Sequence, residues 1–502
     1  MFNKANSITF VANYNSMKRF FTTLFIALGA FTAFAKTYTD RLVVTVNGET
    51  LSNKTASIDV DQQGDGSYTL SLKNFSISLS GQELNIGTIN IPATPYALGN
   101  ARLLQANRNV PISSLGNVPI NLLAQESVDK LHANIDINFN GMTIKVVFGE
   151  GYQVPNSNFE TFGASQEPNR WHSFQSVTGS FASSAKTDAA ISSNQTRPGS
   201  RGKSCVLIKS REIDFFFFSV IANGTLTTGR LNAGSSSPSN AKNNSFLDLA
   251  NKDKDGNGDP FYTELSGRPD SLTLWVKFKQ GKPSADHPYA TAKAVITDGT
   301  YYQLPEEKGK TYKKMAEAIN NEIADTKGEW KRLSIPFNYV NNSIAPKAIL
   351  VTLSTNADAG KGSGSDELYV DDLELVYNFG VEGISIKGQA LANFAENTTE
   401  YTHIVGNATA DDITVKTKGQ GMLVAKTVEN GKATVLVASN DLSKYRLYTI
   451  NVTTGIDNLP SVEANKQVEI YTLDGVRVNK ADRKGVYIIK DAQGKTRKVV
   501  KQ

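Results

Sequence analysis

The sequence predicts an all-β protein of several domains, and three observations support this fold class. Its 502 residues correspond to roughly three domains at about 150 residues each, and a hydrophobic content of 39% is enough for buried cores. Charged residues make up only 20% of the chain, and the 39 glycines favour turns between short strands. Segments in which apolar and polar residues alternate recur along most of the chain, as expected for half-buried strands.

The composition excludes several classes of site. Cys205 is the only cysteine, which rules out an intramolecular disulfide, a cysteine zinc cluster and an iron–sulfur centre. Four histidines argue against a histidine-rich metal site. Residues 1–35 hold three basic and no acidic side chains, so the remainder has 53 − 3 = 50 basic and 48 acidic side chains, a charge of +2. That balance gives no electrostatic reason to expect nucleic acid as a partner.

Residues 1–35 have the layout of a leader with a secretory signal peptide. Lys18 and Arg19 precede an apolar run over residues 20–34, which ends in the small-residue pattern Ala33-Phe34-Ala35. The run is shorter than the roughly 20 residues that a membrane-spanning helix needs. We therefore expect export through the periplasm to the cell surface or medium, with no membrane span after cleavage.

Residues 37–150 predict a β-meander. Ile135, Ile137 and Phe139 alternate with polar residues, and Asn140-Gly141 is a favoured two-residue hairpin turn into the next strand. Several short strands in so few residues indicate a small closed barrel or sandwich. This layout resembles the calycin-like, lipocalin-related domains of secreted Bacteroidetes proteins. The resemblance implies a barrel that either holds an apolar ligand or is filled and acts as a spacer.

Residues 156–378 are predicted to form the largest unit, with strands over 272–279, 292–296 and 333–337. One helix is predicted over 312–324, because Met315, Ile319 and Ile323 recur there at helical spacing. The segment 156–160 has the pattern of a first strand, and 366–375 that of a last strand. Together they resemble a jelly-roll domain of the carbohydrate metabolism family found in Bacteroidetes outer-surface proteins. The resemblance implies a carbohydrate-binding-like β-sandwich.

Two smaller units follow. Residues 380–454 show short alternating strands without a cysteine pair and indicate a small immunoglobulin-like sandwich. Residues 461–502 predict a β-hairpin unit with turns at Asp474-Gly475 and Gln493-Gly494. This tail is similar to the C-terminal sorting domain of the type IX secretion system, which implies the secretion machinery as a partner. An ordinary hairpin that caps the preceding module is the alternative.

Candidate sugar-binding residues come from the side of each strand that faces away from the core. A pyranose has an apolar face and a polar rim, so it is recognised by flat aromatic surface beside hydrogen-bonding groups. Counting every second residue places Trp275 and Trp330 on polar faces, the latter with Arg332. The full predicted set of carbohydrate contacts is Trp275, Trp330, Arg332, Tyr301, Tyr302 and Trp171. The alternative is that a neighbouring element covers this face and buries both rings.

The segment from Asp253 to Glu264 fits the spacing of a calcium loop. Its candidate ligands are the oxygen-bearing side chains Asp253, Asp255, Asn257, Asp259 and Glu264. A strand-like sequence follows where the calcium loop normally enters a helix, and a solvated turn rich in Asp, Asn and Gly is the alternative.

A second structural calcium is implied only by the jelly-roll resemblance, with Glu160 and either Asp371 or Asp372 as its ligands. An arginine or lysine partner for these carboxylates is the alternative.

Signals for catalysis are weak. The sequence contains no G-x-S-x-G elbow and no H-E-x-x-H motif, and Cys205 in the strand-like segment 204–209 is interpreted as a packed thiol. A pair of carboxylates would suffice for glycoside hydrolysis, and no pair stands out among Glu160, Glu264, Asp270, Asp371 and Asp372. We therefore expect an exported protein that binds glycan without turning it over. The alternatives are a glycoside hydrolase or esterase and a structural or adhesive surface protein.

Overall fold

The computed structural model describes residues 35–79, 82–113, 115–164, 166–215, 217–254, 256–453, 469–491 and 494–501. The predicted signal peptide, apart from Ala35, and the predicted calcium ligand Asp255 lie outside these residues. The described chain is built from strands, and its helices are a single turn of α-helix, α1 (Ala182–Ala185), and two 3₁₀ turns, Phe174–Ser176 and Ala410–Asp412. The predicted all-β fold class is confirmed. Among the described residues, no helix combines the length and apolarity needed to span a membrane.

The chain divides into two compact units, and the first, which ends at Phe148, holds a closed eight-stranded barrel. The strands are β1 (Lys36–Val46), β2 (Glu49–Gln62), β3 (Tyr68–Leu79), β4 (Gln82–Leu98), β5 (Ala101–Ile112), β6 (Gly116–Glu126), β7 (Leu131–Phe139) and β8 (Met142–Phe148). Each strand pairs with the next, and β1 pairs antiparallel with β8, with Leu42 opposite Phe148.

Alternation explains the barrel interior. Leu42, Val44, Leu122 and Phe148 are buried within one apolar cluster, while the residues between them on each strand face outward. The turn at Asn140-Gly141 joins β7 to β8, and both residues have positive φ, at 50° and 76°, as a primed hairpin turn requires. The predicted closed barrel is therefore confirmed. Because β1 pairs with β8, every barrel strand has a hydrogen-bonded neighbour on both sides and the barrel has no edge strand.

The second unit begins with a β-sandwich made of two larger sheets and several short accessory strands. Its strands are β9 (Ala190–Ser193), β10 (Cys205–Lys209), β11 (Arg211–Phe215), β12 (Phe218–Ala222), β13 (Thr225–Thr227), β14 (Arg230–Ala233), β15 (Asn243–Phe246), β16 (Asp248–Lys252), β17 (Pro260–Phe261), β18 (Thr263–Glu264), β19 (Ser271–Lys279), β20 (Ala290–Thr297), β21 (Gln303–Leu304), β22 (Lys314–Ile323), β23 (Lys331–Pro336), β24 (Asn338–Tyr339), β25 (Ala348–Ser354) and β26 (Glu367–Val376). Sheet I has the order β23-β19-β26-β10-β9. Sheet II has the order β13-β25-β20-β22-β24, with β18 paired to β25.

One apolar core lies between sheets I and II. Sheet I contributes alternate residues such as Leu274 and Val276, and sheet II contributes Ala294, Ile296 and Val351. The intervening residues of each strand therefore point away from this core, which fixes two outer faces on opposite sides of the sandwich.

Two local predictions in this unit are wrong. The segment 312–324 forms strand β22 instead of a helix. Met315 and Ile323 are buried while Ile319 is 40% exposed, and a spacing of four residues is also an even number, which fits a strand as well as a helix. The segment forms a strand because it pairs antiparallel with β20 in sheet II. Residues 156–160 form no strand, because Asn156 and Phe159 have positive φ and the chain turns there.

A smaller sandwich and a final sheet complete the second unit. The smaller sandwich contains β27 (Val381–Ile386), β28 (Gln389–Ala390), β29 (Glu400–Ile404), β30 (Ile413–Thr417), β31 (Met422–Glu429), β32 (Lys432–Ala438) and β33 (Tyr445–Thr453). They form sheets of three and four strands around a shared core. The last sheet contains β34 (Glu469–Thr472), β35 (Arg477–Val478), β36 (Gly485–Lys490) and β37 (Thr496–Lys501), in the order β35-β34-β36-β37. The tail is thus a four-stranded sheet, larger than the hairpin unit that the sequence suggested.

Candidate functional site

The outer face of sheet I carries the tryptophans that the sequence placed there. On β19, Leu274 and Val276 enter the core, which directs Trp275 and Lys277 outward. Trp275 lies opposite Arg332 of the edge strand β23. Trp330 precedes that strand, and its ring centre lies 5.5 Å from the Lys277 Nζ. Both indoles are partly exposed. The structure therefore brings Trp275, Trp330 and Arg332 to one face, which we call the tryptophan face.

Basic side chains of the protein already contact these rings. The Lys277 Nζ lies 4.1 Å from the ring centre of Tyr369 and donates a hydrogen bond to the Gln195 Oε1 at 2.6 Å. The guanidinium of Arg197 lies 5.1 Å from the ring centre of Trp275. A sugar that stacked on Trp275 from this side would have to displace Arg197 and its cation–π contact.

The carboxylates predicted for a second calcium lie beside this face and have protein donors. Glu160 accepts hydrogen bonds from the backbone N–H groups of Lys203 and Ser204, at 2.9 and 3.1 Å. Asp372 accepts one from the Arg197 Nε at 2.6 Å, which is the arginine alternative considered above.

Asp371 is the exception among these carboxylates. Its Oδ2 accepts a hydrogen bond from the Arg197 backbone N–H at 3.2 Å, and its buried Oδ1 has no hydrogen-bond partner. Burial raises the pKa of Asp371 to about 6.

Three aromatic residues of the predicted set lie elsewhere. Trp171 is 1% exposed and packs against Phe159 in the core, with ring centres 5.2 Å apart. Tyr302 is also 1% exposed and packs with Val295 on the outer side of sheet II. Tyr301 is 48% exposed and lies near Phe246, also away from sheet I. Trp171 and Tyr302 are therefore core residues, and neither tyrosine joins the tryptophan face.

The outer face of sheet II holds a cavity that the sequence did not indicate. Its volume is about 430 Å³, within the range of small-molecule sites. Its floor is formed by outward residues of three neighbouring strands, Thr225 of β13, Thr352 of β25 and Lys293 of β20. The hairpin β11–β12, the segment around α1 and the loop between β14 and β15 form its walls.

The walls combine apolar surface with a few polar groups. Phenylalanine and aliphatic side chains supply the apolar part, namely Phe174, Phe181, Ile213, Val220 and Leu231. Asn223 and Asn244 line the cavity, and the side-chain N–H of each donates to a backbone carbonyl. The Oδ1 atom of each is buried and has no hydrogen-bond partner. Burial lowers the pKa of Lys293. The cavity thus combines two amide side chains and one amine with an apolar wall.

The predicted ligands of the calcium loop contact different groups and do not converge on one point among the described residues. Asn257 donates a hydrogen bond to the Asn169 Oδ1 at 2.5 Å, and Asp259 accepts one from the Arg170 backbone N–H at 2.7 Å. Glu264 lies exposed at the end of β18. Asp253 is buried and, among the described residues, groups with Glu167 and His172. Calcium binding by this loop stays a prediction.

Cys205 has the environment of a packed thiol. It lies buried at the start of β10, and burial raises its pKa to about 12. Because the thiolate is the reactive form, this environment opposes a role as nucleophile.

Comparison with known proteins supports the barrel most directly. Residues 34–150 match the family of calycin-like β-barrel domains, which agrees with the closed barrel described above. No curated protein sequence matches the chain.

Several solved structures are distantly similar. A Bacteroides thetaiotaomicron protein, provisionally described as a glycoside hydrolase, is 14% identical with a TM-score of 0.34, covering 56% of this chain and 96% of its own. The K1 cleaved adhesin domain of Lys-gingipain from Porphyromonas gingivalis is 13% identical with a TM-score of 0.21, covering 45% and 97%. The tandem CBM22 domains of Paenibacillus barcinonensis Xyn10C are 10% identical with a TM-score of 0.19, covering 68% and 92%. At this distance we base function on the geometry of this chain alone.

Proposed function

We propose that the central sandwich binds glycan without turning it over, and that one sugar unit occupies the cavity on sheet II. The observation that carries this proposal is a cavity of about 430 Å³ that combines an apolar wall with the polar side chains Asn223, Asn244 and Lys293. A largely apolar cavity of this size with a few polar groups is typical of small-molecule sites.

A sugar ring matches this distribution of groups. Its hydroxyls can form hydrogen bonds with the polar side chains of the cavity, and its C–H face can contact Phe181 and the aliphatic wall. Lys293 contributes a positive charge in surroundings that screen it weakly. We therefore expect an acidic sugar, such as a uronate, to bind more tightly than its neutral counterpart.

The tryptophan face is the second candidate site for the same function. Trp275 and Trp330 offer aromatic area, and Arg332 and Lys277 offer donors and positive charge. It ranks below the cavity because Arg197 and Lys277 already contact the rings. It could extend the contact with a polymer on the other side of the sandwich.

The experiment is calorimetric titration of the full chain with matched oligogalacturonates and neutral galacto-oligosaccharides. Lys293→Met removes the amine and keeps the side-chain length, and Ala222→Phe narrows the cavity from β12. Trp275→Ala is the control on the opposite sheet. The cavity account predicts at least about tenfold weaker binding in the first two variants and unchanged binding in the control.

The other outcomes separate the alternatives. Loss of binding in Trp275→Ala with full binding in Lys293→Met would move the site to the tryptophan face. Absence of binding across acidic and neutral glycans would contradict the proposal and favour a structural or adhesive role. Sustained release of reducing ends from polysaccharide would contradict the non-catalytic part and favour a glycoside hydrolase.

We further propose that the protein is exported by its leader and delivered to the cell surface or medium by residues 461–502 through the secretion machinery. The leader pattern of residues 1–35 and the resemblance of the tail support this proposal. A structural calcium held by the loop from Asp253 to Glu264 is a separate proposal and competes with any other ion that Asp253 binds.

A further inference from the structure

A buried cluster outside both glycan candidates brings together Glu167, His172 and Asp253. Each residue directs one potential ligand atom to a common point, and these three atoms lie within 4.8 Å of one another. The His172 Nδ1 and the Asp253 Oδ2 are 3.8 Å apart. All three residues are buried, with Glu167 2% exposed and His172 1% exposed.

The backbone holds the cluster in place. His172 exchanges two backbone hydrogen bonds of 2.8 Å with Thr227 at the end of β13. Asp253 directly follows β16, and its backbone N–H donates to the carbonyl of Asp259 at 2.9 Å. Glu167 lies in the loop that precedes His172. The three side chains therefore come from segments that are fixed on the same side of the sandwich.

Each side chain uses one polar atom to fix its orientation and leaves the other toward the cluster. The Glu167 Oε1 accepts hydrogen bonds from the Ser173 backbone N–H and hydroxyl, at 2.7 and 2.5 Å. The Asp253 Oδ1 accepts one from the Gly256 backbone N–H at 3.1 Å. The His172 Nε2 lies 3.2 Å from the Pro260 carbonyl, an acceptor that requires the proton on Nε2.

Two of the three remaining atoms lack hydrogen-bond partners. With the proton on Nε2, the His172 Nδ1 presents a lone pair, and neither this atom nor the Glu167 Oε2 has a hydrogen-bond partner. In metal sites, the polar atom of a ligand side chain that does not bind the metal is usually hydrogen-bonded to a backbone or side-chain group, which orients the ligand.

We propose that Glu167, His172 and Asp253 bind a divalent transition-metal ion, with Zn²⁺ as the preferred ion. One imidazole nitrogen and two carboxylate oxygens form a three-ligand zinc set that leaves one coordination position open. The imidazole distinguishes this set from a calcium site, whose ligands are oxygens. The site ties the loop that holds Glu167 to the loop that holds Asp253.

The test uses the purified full chain, freed of metal by chelation and dialysed. Calorimetric titration with Zn²⁺ and elemental analysis should give one tightly held equivalent, and Ca²⁺ should not compete. Glu167→Gln and Asp253→Asn should each weaken Zn²⁺ binding by about 100-fold. His287→Gln is the control, since His287 forms a similar pair with Asp358 at 2.7 Å on the surface; it should leave binding unchanged.

A measurement on the wild-type protein tests the site even if the variants fail to fold. Co²⁺ added to the metal-free protein should give the visible absorption bands of a low-coordinate nitrogen and oxygen site, which Zn²⁺ then removes. Failure of the wild type to bind Zn²⁺, loss of binding only in His287→Gln, or preference for Ca²⁺ would each overturn the proposal. Calorimetry of the same samples with oligogalacturonate reports separately on glycan binding.

Discussion

Asp371 offers a quantitative test of the electrostatics described for sheet I. Its carboxyl is buried, and its pKa in the folded protein is about 6, compared with an ordinary value of 3.8. A raised carboxyl pKa means that the folded state holds the proton more tightly than the unfolded state. The resulting instability is therefore present above about pH 6 and disappears as the pH falls below about 4.

The magnitude follows from the difference between the two pKa values. At about 1.4 kcal/mol for each unit, the ionised carboxylate lowers the free energy of unfolding by up to about 3 kcal/mol near pH 8. Asp371→Asn removes the charge, and its amide oxygen can still accept the hydrogen bond from the Arg197 backbone. We expect the variant to be more stable than wild type by about 1–3 kcal/mol at pH 8 and equal to it near pH 4.

Tryptophan fluorescence is the assay, because all three tryptophans lie in the central sandwich. Thermal melts at pH 8 should show the variant unfolding about 5 °C higher, and the difference should vanish at pH 4. Asp372→Asn is the control, since its carboxylate is paired with Arg197 and should show no such gain. A less stable Asp371→Asn at pH 8 would refute the reasoning and indicate a bound cation, as the second calcium prediction requires.

Four further predictions test other parts of the structure. Phe148→Ala at the barrel closure should cost about 3–5 kcal/mol, seen as faster hydrogen exchange of barrel amides; unchanged exchange would contradict the described core. Cys205 should react with a thiol reagent at pH 8 only after unfolding, and rapid reaction of the native protein would contradict its burial. After chelation, Ca²⁺ added alone should raise the melting temperature of wild type but not that of Asp255→Ala; equal effects in both would exclude calcium at the loop. Deletion of residues 461–502 should trap the protein in the periplasm with unchanged tryptophan emission, whereas normal surface display would contradict a sorting role.

The predictions that the structure confirms rest on the alternation of apolar and polar residues along single strands. The period of two along β19 was sufficient to place Trp275 outward, because both neighbours of Trp275 on the strand enter the core. The same reasoning assigned the meander and its turn at Asn140-Gly141. It failed at Met315, Ile319 and Ile323, where a spacing of four fits both helix and strand.

The remaining features depend on contacts between distant segments. Lys293 and Asn244 line one cavity because strand β15 lies against sheet II, and neither residue has a local pattern that marks a site. Arg197 reaches Asp372 across 175 positions. Asp253 belongs to a linear calcium motif, but its buried neighbours Glu167 and His172 come from a segment that no spacing rule connects to it.

The central claim is that glycan occupies the cavity on sheet II, and hydrogen–deuterium exchange tests it most directly. With saturating oligogalacturonate, we expect slower exchange in β12 (Phe218–Ala222) and in residues 232–245, which contribute to the cavity walls, and unchanged exchange in residues 271–279 and 330–336. Protection confined to residues 271–279 and 330–336 would contradict it and place the sugar on the tryptophan face.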